Sequence, residues 1–346
     1  METPENRIQE NVPIASLTTM RLGGNARYAI EVANAEQLEL ALNFARNRKL
    51  PFFVLGGGAN SIGRDEGYDG VIIKISGGGK NIIDTDNDRV LVRAQAGENW
   101  DDFVRWTVER GLSGIECLAK IPGTCGAAPV QNIGAYGQDI AGVISSVEVY
   151  DTQKNEVTVL GKDALDMSYR STIFNDSPDK GRYVILAVDL VLKRNTELSG
   201  PLYNSLQRYL DEHNITARDP LTLYQAVAAI RADKLPDPAI TPSAGSFFKN
   251  VIVSKEQAEN PALKDAPIYW LDGHHGKLNS GWLVEKAGLA GKTFHGFRVN
   301  EKAALVLENI SATSYADLDA ARTEIVKAVQ DKFGIKLEQE PVEIIA

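Results

Sequence analysis

The sequence predicts an α+β protein whose main internal boundary lies near residues 195–220. Three observations carry this reading. The strand leading into Gly56-Gly57-Gly58 is followed by polar loop and another strand rather than by a helix, so the chain does not open as a doubly wound βαβ fold. Beyond Asn195 the texture changes from β-rich runs to two helical runs, loop, and a long capped helix. Between these parts lies Glu116–Ile140, which is nearly uncharged and has no apolar period of 3.6 or 2. At 346 residues the chain has room for two or three domains, and 43% apolar with 24% charged residues is ordinary for a soluble globular protein.

The elements follow in order. Residues 1–17 read as a polar leader, and a turn at Gly23-Gly24 feeds a strand over Ala26–Val32. Asn34 with Gln37 forms a capping-box pattern, and Leu38, Ala41, Leu42 and Ala45 give a helix to about Lys49, which Pro51 ends. PFFVL, YDGVIIKIS and DRVLVRAQAG read as strands, the last after an Asp-Asn turn at 84–88. Trp100, Val104 and Val108 share one helical face, with Gly111 at the C-terminal end. VISSVEVYDTQKNEVTVLG reads as a hairpin, and RYVILAVDLVLKRN is apolar enough to be central in a sheet. NSLQRYLDEHNI and TLYQAVAAIRADKL are two helices, the second stopped at Leu235-Pro236. Ser314 with Asp317 caps a last helix ending at Gly334, and LEQEPVEIIA closes the chain as a short strand.

Several function classes are excluded early. A net charge of −9 argues against a non-specific nucleic-acid or membrane-surface role. The polar N-terminal stretch has no signal-peptide core, and no run approaches a bilayer span. Cys117 and Cys125 make neither a metal spacing nor a disulfide framework, so a reduced pair in the cytoplasm is expected. Gly56-Gly57-Gly58 is also no P-loop, since no Gly-Lys-Ser/Thr follows; its successive N–H groups can form an anion-binding nest. Gly111, Gly114, Gly123, Gly126, Gly134, Gly137 and Gly142 are seven of thirty glycines. Such a segment suits a large flat cofactor with a diphosphate; a tight packing loop is the alternative.

Eight stretches resemble one family, the UDP-N-acetylenolpyruvoylglucosamine reductases. They are LGGGANS (55–61), AGENWDDFV (96–104), GIECLAKIPGTCGAAPVQNIGAYG (114–137), SYRSTIF (168–174), DKLPDP (233–238), AGSFFKN (244–250), SGWLVEKAGLAG (280–291) and LEQE (337–340). They cover nearly the whole chain in the family's order, and a Tyr203 loop resembles the longer of the family's two types. The resemblance implies a two-subdomain FAD-binding domain of the PCMH/vanillyl-alcohol-oxidase type over 18–200, divided at about residue 80, and a C-terminal α+β substrate-binding domain over 201–346. The final strand would return toward the active site. It also implies a reaction: NADPH reduces a non-covalent FAD, which reduces UDP-N-acetylglucosamine enolpyruvate to UDP-N-acetylmuramate for peptidoglycan synthesis. A cytoplasmic monomer is expected.

In that picture Gly56, Gly57, Gly58, Ala59, Asn60 and Ser61 form one side of the FAD cradle. Ile121, Pro122, Gly123, Thr124, Gly126, Ala127, Gln131, Asn132, Gly134, Ala135 and Tyr136 form the other. Hydride arriving at the terminal enolpyruvyl carbon pushes electrons toward the carboxylate, which calls for cationic or hydrogen-bonding stabilisation and then a proton. Ser246 resembles the family's proton donor, and Arg170 with Glu340 resembles the pair that stabilises the developing acid. Glu338 is the rival of Glu340. Tyr203, Lys234 and Asn250 are the expected substrate contacts. By default each residue would be ordinary: a turn hydroxyl, a surface arginine, a solvated carboxylate or lysine. His274-His275 has no third ligand nearby, so no metal is expected. Val251, Asn300 and Ala303 depart from the family's Pro, His and Gln, and Pro341 removes a backbone donor after Glu340. A different flavin oxidoreductase and a non-catalytic nucleotide-binding protein are the competing readings.

Overall fold

The computed structural model describes residues 8–86, 88–194 and 196–345. The first seven residues of the expected leader, and Asn87 within the expected 84–88 turn, lie outside the described residues. The described residues form two units, between which the chain crosses several times: those within 8–10, 28–57 and 69–233 make the first, and those within 11–27, 58–68 and 234–345 the second.

In the first unit, the helix Ala35–Asn47 is held at its start by Asn34, whose side chain accepts from the Gln37 N–H at 2.9 Å. Gln37 in turn accepts from the Ala33 N–H at 2.8 Å, so two otherwise unpaired donors are satisfied. Its Leu38, Ala41, Leu42 and Ala45 pack with Val71, Ile73, Tyr150 and Val184. Burying a leucine contributes about 1.5–3 kcal/mol, so this stripe fixes the helix more firmly than its cap.

The larger sheet has the order Glu156–Gly161, Ile144–Asp151, Tyr183–Arg194, Arg89–Gln95, Lys80–Asp86, with Leu112–Ser113 also paired to Tyr183–Arg194. The expected central strand is central. Its one buried acid, Asp189, lies opposite Arg93 and receives its guanidinium fork at 2.7 and 2.8 Å. Lys80–Asp86 is an edge strand with almost every residue exposed, so it carries no alternating pattern. Residues 8–13 of the expected leader are also a strand, beside Asn25–Val32. The helices Asn204–Glu212 and Pro220–Lys234 bury Leu206, Leu210, Leu223 and Val227 in the same core as Trp100 and Phe103.

The second unit is built on Phe247, Phe248, Leu283, Val284, Phe297, Leu318, Ile325 and Val329. Its longest helix, Tyr315–Phe333, has both bonds of the Ser314–Asp317 capping box and ends at Gly334 with φ 69°, as the sequence predicts. Val342–Ile344 pairs in parallel with Ser61–Gly63.

Candidate active site

The glycine-rich stretch is stitched to the segment before it. Gly126 N–H donates to the Ala96 carbonyl at 2.8 Å, Cys125 N–H to Glu98 at 2.9 Å, and Trp100 N–H to Gly123 at 3.1 Å. Trp100 Nε1 donates to the Leu118 carbonyl at 3.0 Å, anchoring the entry to the stretch on a buried indole. Order here comes from hydrogen bonds to neighbours rather than from an apolar stripe of its own. The two glycine clusters meet within this unit. A methyl group on Gly57 would stand 3.0 Å from Gly123 Cα, and one on Gly56 would stand 2.6 Å from Thr124 Oγ1. Gly123 itself has φ +130° and open space where a side chain would project. Gly58, Ala59, Asn60 and Ser61 belong to the second unit.

Gly134–Ala135 and Gln138–Asp139 pair as a small hairpin with Tyr136 and Gly137 at the turn, both at positive φ (48° and 86°). Tyr136 stands at the tip, edge-on to Tyr203 with ring centroids 5.8 Å apart. Tyr203 is half exposed. Cys117 and Cys125 are free and buried; burial pushes the Cys117 thiol up to about 12 and the Cys125 thiol well above its usual range, so both pack as inert thiols.

The loop carrying Arg170 is fastened to the same stretch. Asn132 Nδ2 donates to the Ser168 carbonyl at 3.0 Å, and Thr172 Oγ1 donates to Val130 at 2.6 Å. Arg170 Nη1 donates to the Asn132 carbonyl at 3.0 Å, while the Arg170 carbonyl accepts from Asn175 Nδ2 at 2.9 Å. Arg170 and Asn132 both adopt left-handed backbone, φ 59° and 46°. Non-glycine residues held there store strain that surrounding contacts must maintain, a feature concentrated at binding sites.

Arg231 escaped the sequence reading. Its Nε is sealed from solvent without a hydrogen-bond partner, and burial pushes the guanidinium pKa down against the opposing pull of Tyr136 and Asp101. The Tyr136 hydroxyl is pushed up by burial, with Arg231 opposing. AIRADK looks like a solvated helix end. The available signal was spacing: Arg231 lies four residues after Val227 and so on the stripe that buries Leu223 and Val227. A buried, unmatched cationic donor and an open glycine face fit a group carrying a diphosphate and a flat ring. FAD has both features.

In the second unit the closing segment runs antiparallel to the Ser246 loop. Glu340 N–H donates to the Phe247 carbonyl at 2.9 Å, Lys249 N–H donates to Glu338 at 2.9 Å, and Phe248 bridges Gln339. Ser246 is exposed and bridges Val306 on its other side. The backbone at Glu340 is therefore paired with the residue that follows Ser246. Of the two rival acids, Glu340 is buried and Glu338 exposed. Asn250 Oδ1 accepts from the Ser280 N–H at 3.1 Å, so part of its polar capacity serves the helix Ser280–Lys286. Lys234 is exposed.

Asn300 is absorbed into its own turn. It accepts from the Lys302 and Ala303 N–H groups at 2.9 and 2.7 Å and donates to the buried Glu308 at 2.9 Å. His275 contacts Asp272 at 3.2 Å in an exposed turn. Among the described residues no cluster of three or more His, Cys, Asp or Glu is arranged to hold a metal, and no helix is long and apolar enough to cross a membrane.

Two family models match this chain: an FAD-binding domain over residues 26–160 and the C-terminal domain of UDP-N-acetylenolpyruvoylglucosamine reductase over residues 237–344. The UDP-N-acetylenolpyruvoylglucosamine reductase of Pseudomonas aeruginosa is 37% identical over 337 residues, covering 96% of this chain and 98% of that protein. The enzyme of the same name from Bdellovibrio bacteriovorus is 36% identical over 338 residues, covering 97% and 99%. The solved UDP-N-acetylenolpyruvylglucosamine reductase of Thermus caldophilus shares the fold, with a TM-score of 0.66 at 22% identity over 97% of this chain and 98% of that one.

Proposed function

This chain belongs to the UDP-N-acetylenolpyruvoylglucosamine reductases, and from that premise we propose how its own residues divide the work. It is an FAD-dependent oxidoreductase that reduces the enolpyruvyl ether of its UDP-N-acetylglucosamine substrate to the lactyl ether, in peptidoglycan precursor synthesis. FAD, when bound, supplies two-electron transfer from a nicotinamide donor, which we take to be NADPH, to the substrate's terminal carbon.

The protein's part is placement, charge and one proton. Electrons displaced from the carbon–carbon double bond move into the substrate carboxylate and create an enediolate-like anion. Arg170 offers a fork suited to that carboxylate, and Glu340 is assigned with it to the developing acid. The Ser246 hydroxyl gives its proton to the α-carbon and regains one from water, since an alkoxide does not persist. Tyr203, Lys234 and Asn250 contact the nucleotide sugar. The exposed ring of Tyr203 against Tyr136 supports assignment to the longer type of the family. Arg231 and the glycine faces at Gly56-Gly57 and Gly123 hold the cofactor; Gly58 to Ser61 continue the same loop. Most cofactor contacts then fall in 18–200 and most substrate contacts in 201–346, with Arg231 and Arg170 the exceptions; the helices Asn204–Glu212 and Pro220–Lys234 pack in the first unit's core rather than beyond a boundary at 200. A monomer in the cytoplasm completes the reading, in keeping with two free buried cysteines.

The observation that supports this proposal is the pairing of 338–340 with 247–249, which sets the buried Glu340 opposite Phe247, the residue after the exposed Ser246. The test is anaerobic. Protein loaded with FAD is reduced by NADPH in deuterium oxide and then given the enolpyruvyl substrate. Bleaching, recovery of the flavin colour, and a product with deuterium at the α-carbon are expected. Bleaching without recovery would contradict the substrate assignment.

A further inference from the structure

The closing segment changes partners at the residue after Glu340. Before Pro341 it pairs with the Ser246 loop through the bonds described above. After Pro341 the Val342 N–H donates to the Asn60 carbonyl at 2.9 Å, and the strand continues along Ser61–Gly63. Pro341 has no N–H, so the changeover leaves no backbone donor there unmatched. Glu340 is thus the last residue held by one neighbour before the chain is handed to another.

Backbone bonds alone leave such a junction free to twist. The side chain that fixes it is Glu343, only 15% exposed. Arg64 donates to its Oε2 through Nε at 2.8 Å and Nη2 at 2.6 Å. Tyr315 Oη donates to its Oε1 at 2.5 Å, and Arg322 Nη1 reaches the same oxygen at 3.2 Å. The same Arg322 Nη1 donates to Gln339 Oε1 at 2.6 Å, and Gln339 Nε2 donates to the Pro341 carbonyl at 2.8 Å. One guanidinium therefore grips the residue before Glu340 and the residue three after it. Burial favours the neutral form of Glu343, but Tyr315, Arg64 and Arg322 outweigh it and hold the carboxyl below its usual range.

We propose that Glu343, gripped by Arg64 and Arg322, is a positioning residue that sets where the Glu340 carboxylate stands relative to the Ser246 hydroxyl. This rests on the reading of Glu340 as a stabiliser of the developing acid. A displacement of about 1 Å at a reacting group costs on the order of a hundredfold in rate, so a side chain that touches no substrate can still be read out in turnover. The alternative role is plain tethering of the C-terminus, which would affect stability alone.

A double-mutant cycle separates the two. Wild type, Glu340→Gln, Glu343→Ala and the double variant are reduced anaerobically by NADPH and mixed with enolpyruvyl substrate. We expect Glu343→Ala to slow flavin reoxidation about tenfold to a hundredfold, with flavin reduction unchanged, and Glu343→Gln to lose less than Glu343→Ala but not to match wild type, because its amide keeps one acceptor oxygen and turns a donor toward the arginines. In the Glu340→Gln background, Glu343→Ala should cost less than about twofold, since the group it positions is already lost. Equal losses in both backgrounds, or full activity of Glu343→Ala beside an impaired Glu340→Gln, would overturn the positioning role. Full activity of Glu340→Gln would instead remove the underlying reading of Glu340. Should Glu343→Ala not fold, Arg322→Gln takes its place in the same cycle. Amide exchange supplies a second readout: the Glu340 N–H should exchange faster in the positioning variants, and unchanged protection would count against the proposal.

Discussion

Replacing Arg231 with methionine should move two properties in opposite directions. The buried Arg231 Nε has no hydrogen-bond partner within the chain, and burial pushes the guanidinium pKa down. An unmatched buried donor costs about 1–3 kcal/mol, and methionine fills much of the same volume with no donor to satisfy. Flavin-free protein should therefore be unchanged or more stable by roughly 1–2 kcal/mol in urea unfolding. On the proposal that Arg231 holds the FAD diphosphate, the variant loses a charge-assisted bond of about 1.5–3 kcal/mol, or roughly 10- to 150-fold in affinity. The assay pairs urea denaturation of stripped protein with FAD titration followed by quenching of flavin fluorescence. A variant that lost stability without flavin and kept its FAD affinity would show Arg231 to be a packing residue.

Two further predictions address the wall and the sheet. Gly123→Ala places a methyl group in open space at φ +130°; strain of about 1–3 kcal/mol is expected in the flavin-free protein, with a larger proportional loss of FAD binding. Equal FAD affinity, measured by the same titration, would mean that this face is not against the cofactor. Asp151 receives a guanidinium fork from Arg182 and the backbone N–H groups of Gln153 and Lys154, and Arg182 above all holds its pKa down to about 2. A carboxylate depressed below its unfolded value of roughly 3.9 stabilises the fold above that value and loses its effect as pH falls toward about 2. Asp151→Asn should cost about 1.5–3 kcal/mol at neutral pH, and urea unfolding should show the gap closing on acidification. A gap independent of pH would mean that packing, not charge, is responsible.

What the sequence made legible was local. The helices Ala35–Asn47 and Tyr315–Phe333 announce themselves through caps and buried stripes that lie within a few residues of each other. The central strand Tyr183–Arg194 is readable because it is apolar on both faces. The glycine-rich stretch is readable as a surface for something, because it lacks any stripe to bury. The strand Lys80–Asp86 was not readable: an exposed edge has no alternation. The strand Ile8–Pro13 was missed for the same reason, with most of its residues exposed.

At the site, residue types inside long motifs could be named, whereas tertiary consequences could not. Ser246 and Glu340 are ninety-four positions apart, and only the pairing of 338–340 with 247–249 sets Glu340 opposite the residue after Ser246. Arg231 matters through the burial of one nitrogen, which composition does not record. Pro341, which removes a backbone donor after Glu340, sits where the strand exchanges partners and a donor is not needed. Asn300, a departure from the family's pattern, has its amide committed to its own turn and to Glu308.

The central claim is that Ser246 delivers the proton that completes reduction. The most direct measurement is single-turnover reoxidation of NADPH-reduced enzyme by the enolpyruvyl substrate, wild type against Ser246→Ala. Flavin reduction should proceed at the wild-type rate, and reoxidation should slow by about 10²–10⁴-fold, the usual contribution of a general acid. Reoxidation at the wild-type rate in Ser246→Ala would contradict the account.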